Sequence, residues 1–405
     1  MRKAPIVRLV AVLMTLTVAV LLSGWGDQVA AGSIDGAYRV LKPIQSGDLA
    51  LFPIVRVDGK ATPADQFLTL DEGLKSGEVE VTEAGKVRGL VRPRGGAAQW
   101  RYTGDRVNTL VLVNNSKRPL LLLAGEIVTG GKQDRVIAKD RIVPAGADPI
   151  DLSVFCIEHG RWTESSAKFG TTARSPVGSF MVQPTVRQQA MVAKDQQKVW
   201  NSVNGAISTM ATATAAPSAP GGSSGPIVES LHGRTATPGT VVDGSAALGT
   251  TSYAKAMQTQ VVSAKVDEET SGVLKSREQA LATLRQEHAV GVVVAVRGEV
   301  IWADIFSDTE LLAQYWIKLV RSYAAEGLGS SASHGTASVA DAQRFLDAPS
   351  HGTEDSEGEV GIYRYREVKS GETDLFTLQS LLPGTGYDVH VSKLKLKGLG
   401  WSTRP

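Results

Sequence analysis

Val290-Gly-Val-Val-Val-Ala-Val296, then Arg297-Gly298-Glu299, then Val300-Ile-Trp-Ala-Asp-Ile305 is the stretch that decides the fold. A nearly continuous apolar run of seven residues suits a buried strand, and Gly298-Glu299 supplies the turn into a second one. Ser307 follows as a helix cap, with Glu310 three residues on closing a capping box. Leu312, Tyr315 or Trp316, Leu319 and Tyr323 then line one face of that helix. Two strands joined by a turn and followed by a helix, with no strand–helix–strand alternation, predict an α+β fold built on antiparallel sheet.

Outward toward the C-terminus, Val360 to Glu367, Leu375 to Leu382 and Tyr387 to Leu394 read as further strands. Upstream, Val262, Val266, Val273, Leu274, Leu281 and Leu284 form one apolar stripe of a long charged helix. Thr209 to Thr251 is dominated by Ala, Thr, Ser, Gly and Pro and reads as a flexible linker. A helix is expected from Gln183 to about Ile207, with Val186, Ala190, Ala193, Gln197 and Trp200 at helical spacing. The N-terminal half is mostly antiparallel strand: Leu49 to Val57, Thr109 to Val113, Leu120 to Leu123, Val136 to Val143 and Ile150 to Ile157. Asn114-Asn115 signals a hairpin, and Thr69 with Glu72 a second capping box. The organisation expected is a leader over 1–31, a β-rich half over 32–208, a linker over 209–251 and an α+β half over 252–405.

The leader is read from charge and hydropathy. Arg2, Lys3 and Arg8 precede an apolar run from Leu9 to Leu22, and Val29-Ala30-Ala31 offers a cleavage site before Gly32. That run is shorter than the roughly 20 residues a membrane helix needs. A periplasmic or secreted protein is expected, touching membrane only through the leader, with retention as an anchor the alternative. Net charge is +2, from 43 basic and 41 acidic residues, which argues against a nucleic-acid partner. Cys156 is the sole cysteine, so neither an internal disulfide nor a four-cysteine zinc site can form.

Several polar groups could carry chemistry. Gly130-Gly131-Lys132 departs from a phosphate loop, because Glu126 and Gln133 stand where glycine and Ser or Thr are required. The two glycines could still expose backbone N–H groups to an anion, with Lys132 and Arg135 adding charge, or form an ordinary hairpin. Cys156, Glu158, His159 and Arg161 crowd the end of an apolar strand. Strand alternation puts Cys156 and Glu158 on the face opposite His159, so no thiolate–imidazole pair is set up locally. Glu158 with Arg161 reads either as a salt bridge covered by Trp162 or as an acid/base beside an anion anchor. Asp304 reads either as a helix-start carboxylate or as a second catalytic acid. The scattered histidines give no metal site, and no cofactor is implied.

Leu122-Leu-Ala-Gly125-Glu126, Gly130-Gly131-Lys132-Gln133-Asp134-Arg135, Cys156 to Trp162, Gly291 to Gly298, Asp304-Ile-Phe306 and Tyr315-Trp316, in that order, resemble the ARG and rhodanese-phosphatase-superfamily-associated protein domain family over roughly residues 36 to 395. The resemblance implies a bacterial domain of unassigned activity and an association with ADP-ribose metabolism, which a leader would set apart from cytoplasmic dinucleotide pools. The reading is therefore an exported binding or interaction module with a small-molecule or envelope-protein partner. The alternative is a hydrolase-like enzyme on an ADP-ribose, nucleotide or sugar ligand. In that case Glu158 and Asp304 would be catalytic, and Gly130, Gly131, Lys132, Gln133, Arg135, His159, Arg161 and Trp162 would hold the ligand.

Overall fold

Strands Gly291–Val296 and Glu299–Phe306 pair antiparallel, turning through Arg297 at φ 50° and Gly298 at φ 84°. The computed structural model describes residues 34, 36–60, 62–63, 66–83, 109–161, 163–174, 179–215, 243–275, 277–329 and 335–396; the expected leader and Trp162 lie outside them. This hairpin is the centre of a nine-stranded sheet. On one side it pairs with Leu49–Arg56 from the N-terminal half, which also pairs with Tyr38–Val40 and Ile44–Ser46. On the other side come Asp388–Lys395, Thr373–Ser380, Tyr363–Lys369 and finally Thr353–Glu359. Both halves of the chain thus share one sheet, and residues from Ile34 onward form one compact unit. The edge strand Thr353–Glu359 was not expected. Its sequence TEDSEGE has no apolar alternation, and it is exposed along nearly its whole length.

Two smaller sheets come from the N-terminal half. One orders Arg141–Val143, Leu120–Leu122 and Leu68–Thr69; the other runs Gly170–Thr171, Ile127–Thr129, Arg135–Ile137, Ile150–Cys156, Thr109–Asn114 and Val79–Glu83. The expected strand Val136 to Val143 therefore divides between the two sheets. The Asn114-Asn115 hairpin does not form either, because Thr109–Asn114 pairs with Ile150–Cys156 and Val79–Glu83. Asn114 is buried, and its amide donates to the carbonyls of Arg118, Val143 and Pro144. A side chain that could have made a tight turn instead ties two sheets together.

The helices follow the apolar pattern but break more often than it suggests. The Thr69–Glu72 capping box opens Leu70–Ser76 as expected. Helix Thr309–Gly327 starts one residue later than read, capped by Asp308, whose carboxylate accepts from Leu311 N at 2.9 Å. Ser307 lies just past the end of the strand, its N–H bonded to Val389 O, and Asp308 caps in its place, so the expected box with Glu310 does not close; an unexpected one, Ser338 with Asp341, opens helix Val339–Asp347. The helix expected from Gln183 is a short turn Pro184–Gln188, a π-helical turn Gln189–Ala193, a left-handed Lys194 and then Gln196–Thr214. The charged stripe divides into Tyr253–Gln258, Gln260–Glu269, Ser271–Leu274 and Arg277–Gln286. Helix runs past residue 209 to Thr214, and Gly244–Leu248 is helical again, inside the stretch read as linker.

Burial divides into three cores. The largest joins Trp302, Phe376 and Leu394 on one face of the nine-stranded sheet to Tyr315, Trp316 and Leu319 of helix Thr309–Gly327. The opposite face, with Val293, Ala303 and Val391, packs on helix Val339–Asp347 through Ala342 and Leu346. The third lies between the two smaller sheets. Polar groups placed on the first face are therefore enclosed by helices and by the N-terminal sheets.

Candidate functional site

Asp304 lies on that enclosed face, where alternation in Glu299–Phe306 aims it inward with Trp302 and Phe306. It is 0% exposed and its two oxygens are fully engaged. Oδ1 accepts from Ser392 Oγ at 2.7 Å and lies 3.2 Å from His390 Nε2. Oδ2 accepts from Arg187 Nη1 at 2.8 Å and from the Tyr323 hydroxyl. Burial alone would push this carboxyl up, but Arg187 and His390 outweigh it and hold Asp304 far below the usual range. His390 Nδ1 in turn meets Asp140 at 2.6 Å, and those two carboxylates raise the imidazole pKa against burial. Asp140 also accepts from Ala124 N at 2.7 Å. Two acids and two bases alternate here, so the buried charges cancel, the condition under which such a network is tolerated.

The motif Ala124-Gly125-Glu126 packs against the same network. Gly125 has φ 92°, and a Cβ there would lie 2.9 Å from Arg187 Cδ, so only glycine lets the guanidinium pass. Glu126 is 0% exposed and pairs with Lys318 at 2.5 Å, and Lys318 reaches Asp71 at 2.9 Å. Tyr315 in the Tyr315-Trp316 pair donates its hydroxyl to Leu121 O, and Trp316 fills the core. Sequence reading missed Arg187, Asp140, His390, Ser392, Tyr323 and Lys318. One signal was present: in Val389-His390-Val391-Ser392 two polar residues recur at period two inside an apolar strand, which marks a polar patch on a buried face.

Glu158 and Arg161 belong to a separate cluster at the end of Ile150–Cys156. Glu158 Oε2 takes Arg161 Nη2 at 2.6 Å and Asp134 N at 3.2 Å, and Oε1 takes Lys255 Nζ at 2.9 Å. Although burial pushes Glu158 up, hydrogen bonds from Arg161 and Lys255 leave it below the ordinary carboxylate value. Its neighbour Asp134 goes the other way, pushed up by burial and by the Glu158 charge. Asp134 accepts from Gly130 N at 3.0 Å and Ser252 Oγ at 2.8 Å. No hydrogen bond or ion pair joins this cluster to Asp304 among the described residues; the two candidate carboxylates have different polar partners.

The remaining ligand-binding candidates separate sharply. Gly130 and Gly131 form the hairpin between Ile127–Thr129 and Arg135–Ile137, with φ of 127° and 52°. Their N–H groups point at Asp134 and Ser166, and Lys132 N points at Glu83, so side chains of this chain already occupy the nest. Arg161 closes the same turn through the Gly131 carbonyl at 2.9 Å. His159 is exposed and sets its ring edge-on to Trp200 at 4.9 Å, while Trp162 lies outside the described residues. Cys156 is buried, and burial pushes its thiol up, away from nucleophile character. Gln133 and Arg135 behave differently. Gln133 is 0% exposed with both carboxamide atoms unpartnered. Arg135 is 2% exposed, has no carboxylate partner among the described residues and leaves Nε unpartnered.

Among the described residues no group of three metal-binding side chains comes together, and no helix is long and apolar enough to cross a membrane. Fold and site together define an α+β domain whose sheets are locked by buried ion networks. The chain belongs to the ARG and Rhodanese-Phosphatase-superfamily-associated Protein domain family, which matches residues 37–394. Neither a curated protein nor a solved structure matches it.

Proposed function

We propose that the chain is exported and works as a binding module for a small molecule or an envelope protein, without turnover at Glu158 or Asp304. The supporting observation is that both carboxylates have their oxygens occupied: Asp304 by Ser392, His390, Arg187 and Tyr323, Glu158 by Lys255, Arg161 and the Asp134 N–H. A general acid or base needs a free lone pair or proton within hydrogen-bond reach of the reacting atom. The positive, apolar and small-residue order of residues 1–31 supports export.

One observation favours the hydrolase reading. Asp134, pushed toward its protonated form, sits beside ionised Glu158, and a carboxyl pair with opposed shifts is how acid and base roles are divided. Incubating the chain lacking residues 1–31 with ADP-ribosyl, nucleotide and glycoside substrates separates the two. We expect a rise in Tm with a bound class and no product. Product formation that disappears in Glu158→Gln while Tm is unchanged would overturn the binding reading.

A further inference from the structure

We infer that Gln133 and Arg135 are the recognition end of a site for a ligand carrying a carboxylate next to an amide, as at the C-terminus of a peptide or in an N-acyl amino acid. This rests on the binding reading above and names the chemistry of what is bound.

A buried carboxamide has a donor and an acceptor to satisfy, and native interiors leave few such groups unpaired. Gln133 leaves both unpaired at 0% exposure. Arg135 lies beside it, because its Nη1 donates to the Gln133 carbonyl at 2.6 Å and approaches the Asp134 carbonyl at 3.4 Å. Those backbone contacts orient the guanidinium without neutralising it. A buried cation lacking a counter-ion is costly, and buried charges in folded proteins are normally paired. Three neighbouring groups that were read as ligand-binding are already engaged: Gly130 with Asp134, Gly131 with Ser166, Arg161 with Glu158. Within the turn itself, Gln133 has both carboxamide atoms unmet and Arg135 its Nε; beside it, Arg161 leaves its Nε unmet but is neutralised by Glu158.

The complement follows from the donor inventory. The carboxamide asks for one acceptor and one donor, which an amide group supplies in one plane. The guanidinium fork asks for a carboxylate or a similar planar oxyanion. A ligand with both groups in sequence meets all three atoms. Acetate or phosphate alone meets only Arg135, and acetamide alone only Gln133.

The experiment measures Tm of the chain lacking residues 1–31 with N-acetylglycine, acetate, phosphate and acetamide, in wild type, Gln133→Met and Arg135→Met. We expect N-acetylglycine at a hundredfold excess over its Kd to raise Tm by about 2–5 °C. Acetate and acetamide should give smaller shifts, each lost in only one of the two variants. Unliganded Gln133→Met should melt no lower than wild type, because an apolar side chain of similar size removes two unpaired polar atoms. That last readout separates a ligand group from a structural one. Wild type unmoved by any probe overturns the inference, as does a shift that survives both substitutions. Gln133→Met melting several degrees below wild type does so too, since the carboxamide would then be serving the fold. Phosphate acting alone through Arg135 would replace the amide-bearing class by a simple anion. A protein partner bound with no probe shift would overturn this inference and leave the binding reading standing, whereas turnover would overturn the binding reading alone.

Discussion

Asp304 and Asp374 lie on the same face of the same sheet and are both hidden, at 0% and 1% exposure. Register places them: Asp304 is opposite Ser392, Ser392 is opposite Phe376, and Asp374 is two residues before Phe376 on the same strand. Asp304 has four polar side chains around its oxygens, and Asp374 has none on either oxygen. Their titration diverges accordingly. Arg187 and His390 hold Asp304 far below the usual range, whereas burial and the nearby Glu367 charge push Asp374 up to about 6, against a smaller opposing pull from Lys369. Both are closed to solvent, Asp304 the more deeply of the two. The number of donors supplied decides whether a hidden carboxylate locks the fold or weakens it.

Removing one donor from the full set around Asp304 should have the largest effect. Arg187→Met leaves Asp304 with a net negative charge in the core, since the guanidinium supplies the first and strongest pull on it. We expect a loss of about 3–5 kcal/mol in urea unfolding, the usual cost of stranding one partner of a buried pair. A loss below about 1 kcal/mol would mean that His390, Ser392 and Tyr323 suffice and that the network is redundant.

At Asp374 the sign reverses. Its folded pKa lies above the unfolded value of roughly 3.9, so between about pH 4 and 6 the folded state keeps a proton that the unfolded chain has released. Its contribution is thus most favourable below pH 4 and falls as pH rises to about 6, by roughly 2–3 kcal/mol in all. Asp374→Asn should melt higher than wild type at pH 7.5 and match it near pH 4. Equal melting at both pH values would show that a donor reaches Asp374 in solution.

The same distinction explains what the sequence made legible. Apolar periodicity marked the hairpin Gly291–Phe306, helix Thr309–Gly327 and three of the outer C-terminal strands, because those segments bury one face or both. It failed at Thr353–Glu359, which is held by backbone pairing to Tyr363–Lys369 and buries almost nothing. It failed again at Asn114, where a single side chain reaches carbonyls some thirty residues away. Asp304 and Glu158 were found as polar residues at strand ends, but their partners Arg187, His390 and Lys255 are distant in sequence. Whether a carboxylate is free or engaged depends on those partners, so engagement could not be read locally. Gln133 and Arg135 stood out as residue types near a glycine turn; that the Gln133 carboxamide is left with neither donor nor acceptor met is visible only in three dimensions.

The Glu158 cluster falls between the two extremes and gives the smallest predicted effect. Glu158 is hidden, but Lys255 keeps 55% of its side chain exposed and Arg161 keeps 18%. Solvent screens an exposed lysine, so its pairing is worth far less than a buried one. Lys255→Met should cost less than about 1 kcal/mol, and that cost should shrink further in 1 M salt, where the Debye length is about 3 Å. Arg161 and the Asp134 N–H still hold Glu158 Oε2 in that variant, so the carboxylate stays engaged on one side and loses only its outer partner. A cost near that of Arg187→Met, insensitive to salt, would mean that the cluster is closed to water in solution, and Glu158 would then belong with Asp304 as a lock of the fold.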